Sequence, residues 1–225
     1  MALGGPVCRC TTDPRSLRAS APSREVPVPN FARMKPDGKP RCPWCLKDDI
    51  YRRYHDEVWG VPEHDDRKLF AKLVLDGAQA GLSWYTILIR SEGYRQAYEN
   101  WSIEKIARYG EKDIARLMND AGIIRNRAKI NASIGNAKAW LKIMEGGPGS
   151  FDHFLWKHVG HKTKVNRWKQ PAQVPATSPE SDALSKDLLA HGFKFVGSTI
   201  VYAFMQACGM VDDHLVSCWR RTKGR

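Results

Sequence analysis

Apolar residues recur at helical spacing through most of the chain, and strict period-two alternation is nearly absent. Leu69, Phe70, Leu73 and Val74 lay an apolar stripe on a helix over 65–80, with Asp65 or Asp66 as its cap. Trp84 opens another helix, with Tyr85, Ile87 and Leu88 in its first turns. Ile106, Ile114, Leu117 and Met118 give an apolar face to 102–119, which Gly110 divides into two short helices. Ile130, Ile134, Ala137 and Leu141 stripe a helix over 128–142. Phe151, Phe154 and Leu155 start a short helix after a glycine-rich loop. Helices over 181–191 and 198–208 end at Gly192 and Gly209. Asp213 is the expected cap of a last helix holding His214 and Cys218. The pattern predicts an all-α fold.

Two segments fall outside the pattern. Residues 1–37 are rich in Pro, Ser and Arg and hold no periodic apolar run, with six Arg and Lys against three Asp and Glu. They read as a disordered basic extension that cannot bury enough surface to fold alone. A presequence, a basic arm and an upstream start before Met34 all stay open, so organelle targeting is left open too. A secretory signal is excluded, because no apolar central run is present. Residues 38–225 then form one helical domain. Within it, 160–178 is a long polar connection carrying Lys162, Lys164, Arg167, Lys169 and Trp168, a length that often marks function.

Net charge is +12, from 36 Lys and Arg against 24 Asp and Glu, which suits a polyanionic partner such as nucleic acid. No apolar run reaches membrane-spanning length; the best, 195–210, carries Ser198, Thr199 and Gln206. Six unevenly spaced cysteines in a chain this long do not make a secreted disulfide scaffold. They point to a cytosolic set with a metal site.

Three clusters carry candidate chemistry. Asp76 to Trp84 offers a carboxylate, an amide, two glycines and a tryptophan at a helix end, a mixture suited to a flat, nitrogen-rich ring. Tyr51 and Tyr54, one helical turn apart, join Trp44 as a pocket rim, while Trp59 reads as core. Gly122, Arg125, Arg127 and Lys129 lie at a tight turn between helices, which can aim backbone N–H groups and cations at a phosphate. For a metal, the spacing alone selects Cys42 and Cys45 with His214 and Cys218. A redox role for Cys-Pro-Trp-Cys lacks a βαβ context.

Several runs in order resemble the type-I DNA-3-methyladenine glycosylases, of the helix-hairpin-helix superfamily. They are 54–62 (YHDEVWGVP), 77–84 (GAQAGLSW), 120–125 (DAGIIR), 192–197 (GFKFVG) and 204–209 (FMQACG). The resemblance implies a helix-hairpin-helix glycosylase with one structural zinc per chain joining its N- and C-terminal segments. It moves the zinc ligands to Cys42, His55, His214 and Cys218 and leaves Cys45 free. It places the base pocket on Trp44, Tyr51, Tyr54, Trp84 and the acid at 76. The family's usual acid is glutamate; this chain has Asp76, one methylene shorter.

The implied enzyme is a DNA-3-methyladenine glycosylase. It acts on double-stranded alkylated DNA, hydrolyses the N-glycosidic bond and leaves an abasic site. Asp76 is the expected catalytic residue, assigned to recognition and electrostatics of a flipped, cationic base and also to orienting the water. No lysine is expected in the pocket, so no lyase activity. A monomer of bacterial-type cytoplasmic location, without membrane attachment, completes the expectation. Acceptance of 3-methylguanine stays open.

Overall fold

Asp65 halts an extended approach and caps the helix on which the structure is centred: its side chain accepts from the N–H groups of Arg67 and Lys68. The computed structural model describes residues 37–222. The expected extension lies outside the described residues as far as residue 36; its last residue, Asp37, is described and pairs with Arg41.

In chain order the helices are α1 (Asp49–Glu57), α2 (Asp66–Gln79), α3 (Trp84–Leu88), α4 (Ser91–Ala97), α5 (Ile103–Ile106), α6 (Glu111–Met118), α7 (Arg127–Ile143), α8 (Ser150–Trp156), α9 (Pro179–Ala190) and α10 (Ser198–Ala207). The expected helices over 65–80, 128–142, 181–191 and 198–208 correspond to α2, α7, α9 and α10 within a few residues. Gly110 divides 102–119 as expected and stands as the N-cap of α6.

The apolar stripe of α2 explains its central position. Leu69, Phe70 and Leu73 are fully buried, each contributing about 1.5–3 kcal/mol by leaving water. The helix packs against α3, α7, α8 and α10. Trp140 of α7, Phe151 and Leu155 of α8, and Phe204 and Met205 of α10 complete the core around it. Asp66, in the first turn of α2, accepts from the N–H groups of Gly149 and Asp152, and so satisfies the start of α8.

The helix-rich fold is as expected, with one short addition: β1 (Lys164–Val165) pairs in parallel with β2 (Val211–Asp212). Two residues per strand leave no alternation to read in a sequence. One expectation is corrected: the last helix is absent among the described residues, where 213–222 is extended chain and turns. Its two aspartates hold it that way by bonding locally to backbone and to other segments. Asp212 accepts from the N–H groups of His214 and Thr222. Asp213 caps nothing; its carboxylate accepts from Asn166 and Trp168 of the long connection and from Tyr202 and Gln206 of α10.

Candidate active site and metal centre

The chain must turn sharply after α2, and Gly81 makes that possible. Its φ of +76° lies in the left-handed region that favours glycine. Gln79 braces the turn by donating to the Leu82 carbonyl, and Ser83 caps α3 by accepting from the Thr86 N–H. Trp84, the first residue of α3, is thereby folded back toward Tyr54 of α1, with ring centroids 5.5 Å apart at 42°. Trp44 sits on a short 3-10 turn, Pro43–Lys47, that proline starts. Its ring stands edge-on to Tyr51 and Trp59, at 5.5 and 5.2 Å.

These rings wall a cavity of about 370 Å³. All five expected pocket residues, Trp44, Tyr51, Tyr54, Asp76 and Trp84, line it. Trp59, expected as core, is half-buried and lines it as well. Gln79, the amide of the Asp76–Trp84 stretch, lines it as expected; Gln206, Asp213 and Leu215 were not foreseen there, nor were Pro171 and Val174, which the long connection supplies.

Asp76 is buried, and burial raises its carboxyl above the usual carboxylate range, with Lys72 offsetting part of that rise by charge and hydrogen bond. Its Oδ1 accepts from Lys72 Nζ, and its Oδ2 has no partner. The Trp84 Nε1–H is likewise buried and unpartnered. Asp76 and Trp84, which both line the aromatic cavity, thus each hold a buried polar atom without a partner, one an acceptor and one a donor. The expectation that no lysine enters the pocket is corrected: Lys72 lines it, with Nζ 4.1 Å from the centre of the Trp84 ring. One helical turn separates Lys72 from Asp76, and that spacing was legible in the sequence.

Beside the cavity, Cys42, His55, His214 and Cys218 bring their ligand atoms within 4.8 Å of one another, all buried. Cys218 Sγ lies 3.4 Å from His55 Nε2 and 3.5 Å from His214 Nδ1; Cys42 Sγ lies 3.8 Å from His214 Nδ1. Donors about 2.0–2.3 Å from one tetrahedral ion stand roughly 3.3–3.8 Å apart, so the cluster can hold a metal. Cys45 is outside it and donates to the Cys42 carbonyl. His55 is oriented from behind: its Nδ1 meets Asp56 at 2.8 Å, and Arg41 grips Asp56 with Nε and Nη2. Gly60, at φ +78°, lets the chain pass close to His214, where a Cβ would lie 2.9 Å from Nε2.

The expected phosphate site divides. The Gly122 N–H donates to Asp120 Oδ1 at 2.7 Å, and Arg127 pairs with Glu111 at 3.1 Å. Arg125 is exposed. Lys129 does something the sequence did not reveal. Its Nζ donates to the carbonyls of Ala78 and Ala80, 2.7 Å each, and closes the C-terminal end of α2. The partners lie some fifty residues earlier in the chain, beyond the reach of local spacing.

Residues 44–221 match the model of the methyladenine glycosylase family. The chain is 49% identical over 178 residues to DNA-3-methyladenine glycosylase 1 of Escherichia coli strain K12, covering 79% of this chain and 95% of that one. It superposes on a crystal structure of a 3-methyladenine DNA glycosylase I with a TM-score of 0.79 and 46% identity, over 81% of this chain and 100% of the other. A structure of the Staphylococcus aureus enzyme, described as showing the basis of 3-methyladenine recognition, gives 0.78 at 38% identity, over 82% and 98%.

Proposed function

The chain belongs to the methyladenine glycosylase family, and on that premise we propose that it takes 3-methyladenine out of double-stranded alkylated DNA and releases it by hydrolysis, leaving an abasic site. The observation that carries the reading is the cavity walled by Trp44, Tyr51, Tyr54 and Trp84, into which the α2 end brings Asp76, a buried acid with one oxygen unpartnered.

The chemistry asks little of the protein beyond selection and stabilisation. Alkylation at N3 makes adenine cationic while it is still attached to the sugar, so it is already a good leaving group. An enzyme that acts on a duplex base must unstack it and hold it in a pocket. Tyr54 and Trp84 offer π faces to the cationic ring. Asp76 Oδ2 accepts from the exocyclic amine through a charge-assisted bond, and Trp84 Nε1 donates to a ring nitrogen. Water then attacks the sugar. Lys72 is engaged with Asp76 and the Trp84 face, the groups assigned here to the base. The reading is therefore of a monofunctional enzyme without strand cleavage.

Cys42, His55, His214 and Cys218 fit one zinc: two thiolates and two imidazoles at tetrahedral spacing, with no donor position left for substrate. Its role is structural, tying 42–55 to 214–218. At the turn between α6 and α7 the exposed Arg125 is the group offered to DNA phosphates, with Gly122 held by Asp120 and Arg127 by Glu111, while Lys129 supports the pocket from behind. The working form is a monomer in the cytoplasm, in keeping with the absence of any helix among the described residues long and apolar enough to cross a membrane.

The test is chromatography of bases released from methylated duplex DNA. Release of free 3-methyladenine with an intact abasic strand is the expected result. Binding without release would make the protein a reader of alkylated DNA instead.

A further inference from the structure

We propose that Lys72 is the positioning residue for Asp76: it keeps the buried carboxyl ionised and fixes which of its two oxygens faces the base. The inference rests on reading the cavity as the base pocket. Lys72 and Asp76 lie one turn apart on α2, with side chains 14% and 2% exposed. The ammonium is held by two groups from two elements, Asp76 Oδ1 on its own helix and the Trp84 ring on α3. With Oδ1 occupied, Oδ2 is the oxygen left for a ligand, and it is buried without a partner.

A carboxylate this deep is costly unless a cation accompanies it. The other titratable groups around Asp76 supply none. Tyr54 of α1 and Cys208, just past α10, are both pushed upward by burial and stay neutral. Asp213, across the cavity, is an acid whose oxygens are taken by four donors. Among the described residues lining the cavity, Lys72 is the one cation. Without it the carboxyl takes up a proton, and the charge that selects a cationic base is lost. The same ammonium covers part of the Trp84 face, so an incoming ring shares that face with it.

The decisive measurement is a pH titration of the Asp76 carboxyl by carbon-13 NMR on the full chain, assigned with Asp76→Asn. It is run on the wild type and on Lys72→Met, Lys72→Gln and Lys72→Arg, with circular dichroism to confirm folding. Loss of the cation in Lys72→Met is expected to move the carboxyl midpoint upward by about one pH unit, a tenfold change in proton affinity. Lys72→Gln, which keeps a donor without charge, is expected to follow it, and Lys72→Arg to stay near the wild type. The acid limb of single-turnover 3-methyladenine release is expected to move by the same amount. An Asp76 midpoint unchanged in both neutral variants would overturn the proposal. So would a borohydride-trapped covalent adduct between Lys72 and DNA, which would make the lysine a bond-forming group. If the wild type releases no base at any pH, the base-pocket reading fails, and the carboxyl titration still decides the role of Lys72.

Discussion

Gly93 and Gly122 meet backbone to backbone: a Cβ at Gly93 would lie 2.4 Å from the Gly122 carbonyl oxygen. The contact seats the α6–α7 turn on α4. Gly93→Ala is therefore expected to cost about 1–3 kcal/mol through overpacking against atoms that cannot swing away. Gly135→Ala, inside α7 with nothing near the added carbon, is expected to stabilise by about 0.5–1 kcal/mol. Paired denaturant unfolding curves read both, and equal effects would remove the contact from the argument.

Asp76→Asn keeps the shape of the cavity wall and removes its charge. A charge-assisted bond contributes roughly 1.5–3 kcal/mol, so excision is expected to fall by about one to two orders of magnitude. Metal content and helicity stay as in the wild type. Asp76→Glu, which restores the reach of the family's usual residue, is expected to retain activity. Single-turnover release of 3-methyladenine by a well-folded Asp76→Asn protein at the wild-type rate would take Asp76 out of the site.

If the cluster holds zinc as proposed, replacing His214 by Ala is expected to abolish zinc binding and cost about 4 kcal/mol or more of stability, read as a fall in melting temperature of about 10 °C. Cys45→Ser keeps the metal, because Cys45 lies outside the cluster. Metal analysis on the two variants decides it, and the opposite pattern would restore the set that spacing alone selected.

Lys129→Met removes the two hydrogen bonds that close α2. The expected result is a loss of about 1–2 kcal/mol together with slower excision at saturating DNA, because the Gly81 turn that carries Trp84 loosens. Arg125→Ala, exposed at the hairpin, is expected instead to weaken binding to any duplex and to lower the salt slope by about one. Titrations at several salt concentrations separate the two roles.

Asp187 makes a pH-dependent contribution. Its burial alone would raise the carboxyl, but Lys157, with His158 and His191, lowers it overall. A carboxyl depressed in the folded state stabilises above its unfolded value near 3.9 and loses that contribution as pH falls through the folded value. Asp187→Asn is expected to be less stable by up to about 1 kcal/mol at pH 7. The difference closes below about pH 3. Urea midpoints at the two pH values check the sign.

What the sequence revealed and what it hid follow from distance along the chain. The stripe of α2, the cap at Asp65 and the ring-bearing runs around Tyr54 and Trp84 are local, and each has a pattern of its own. The helix through His214 fails because Asp212 and Asp213 find bonding partners elsewhere, which no helical period reports. Lys129 is similar: its partners are Ala78 and Ala80, and only the folded chain brings them together. Lys72 is different, since its spacing from Asp76 was plain, but a lysine at that spacing ordinarily lies on a wetted helix face. Its burial follows from the packing of α3 and α10 against α2.

The division of the metal cluster between 42–55 and 214–218 also bears on how the molecule is made. During synthesis Cys42 and His55 emerge from the ribosome long before His214 and Cys218, and two donors alone cannot enclose an ion. Asp213 and Leu215, on either side of His214, line the cavity. A nascent chain stopped short of residue 213 therefore has neither the full donor set nor the full cavity lining, and one late step completes both.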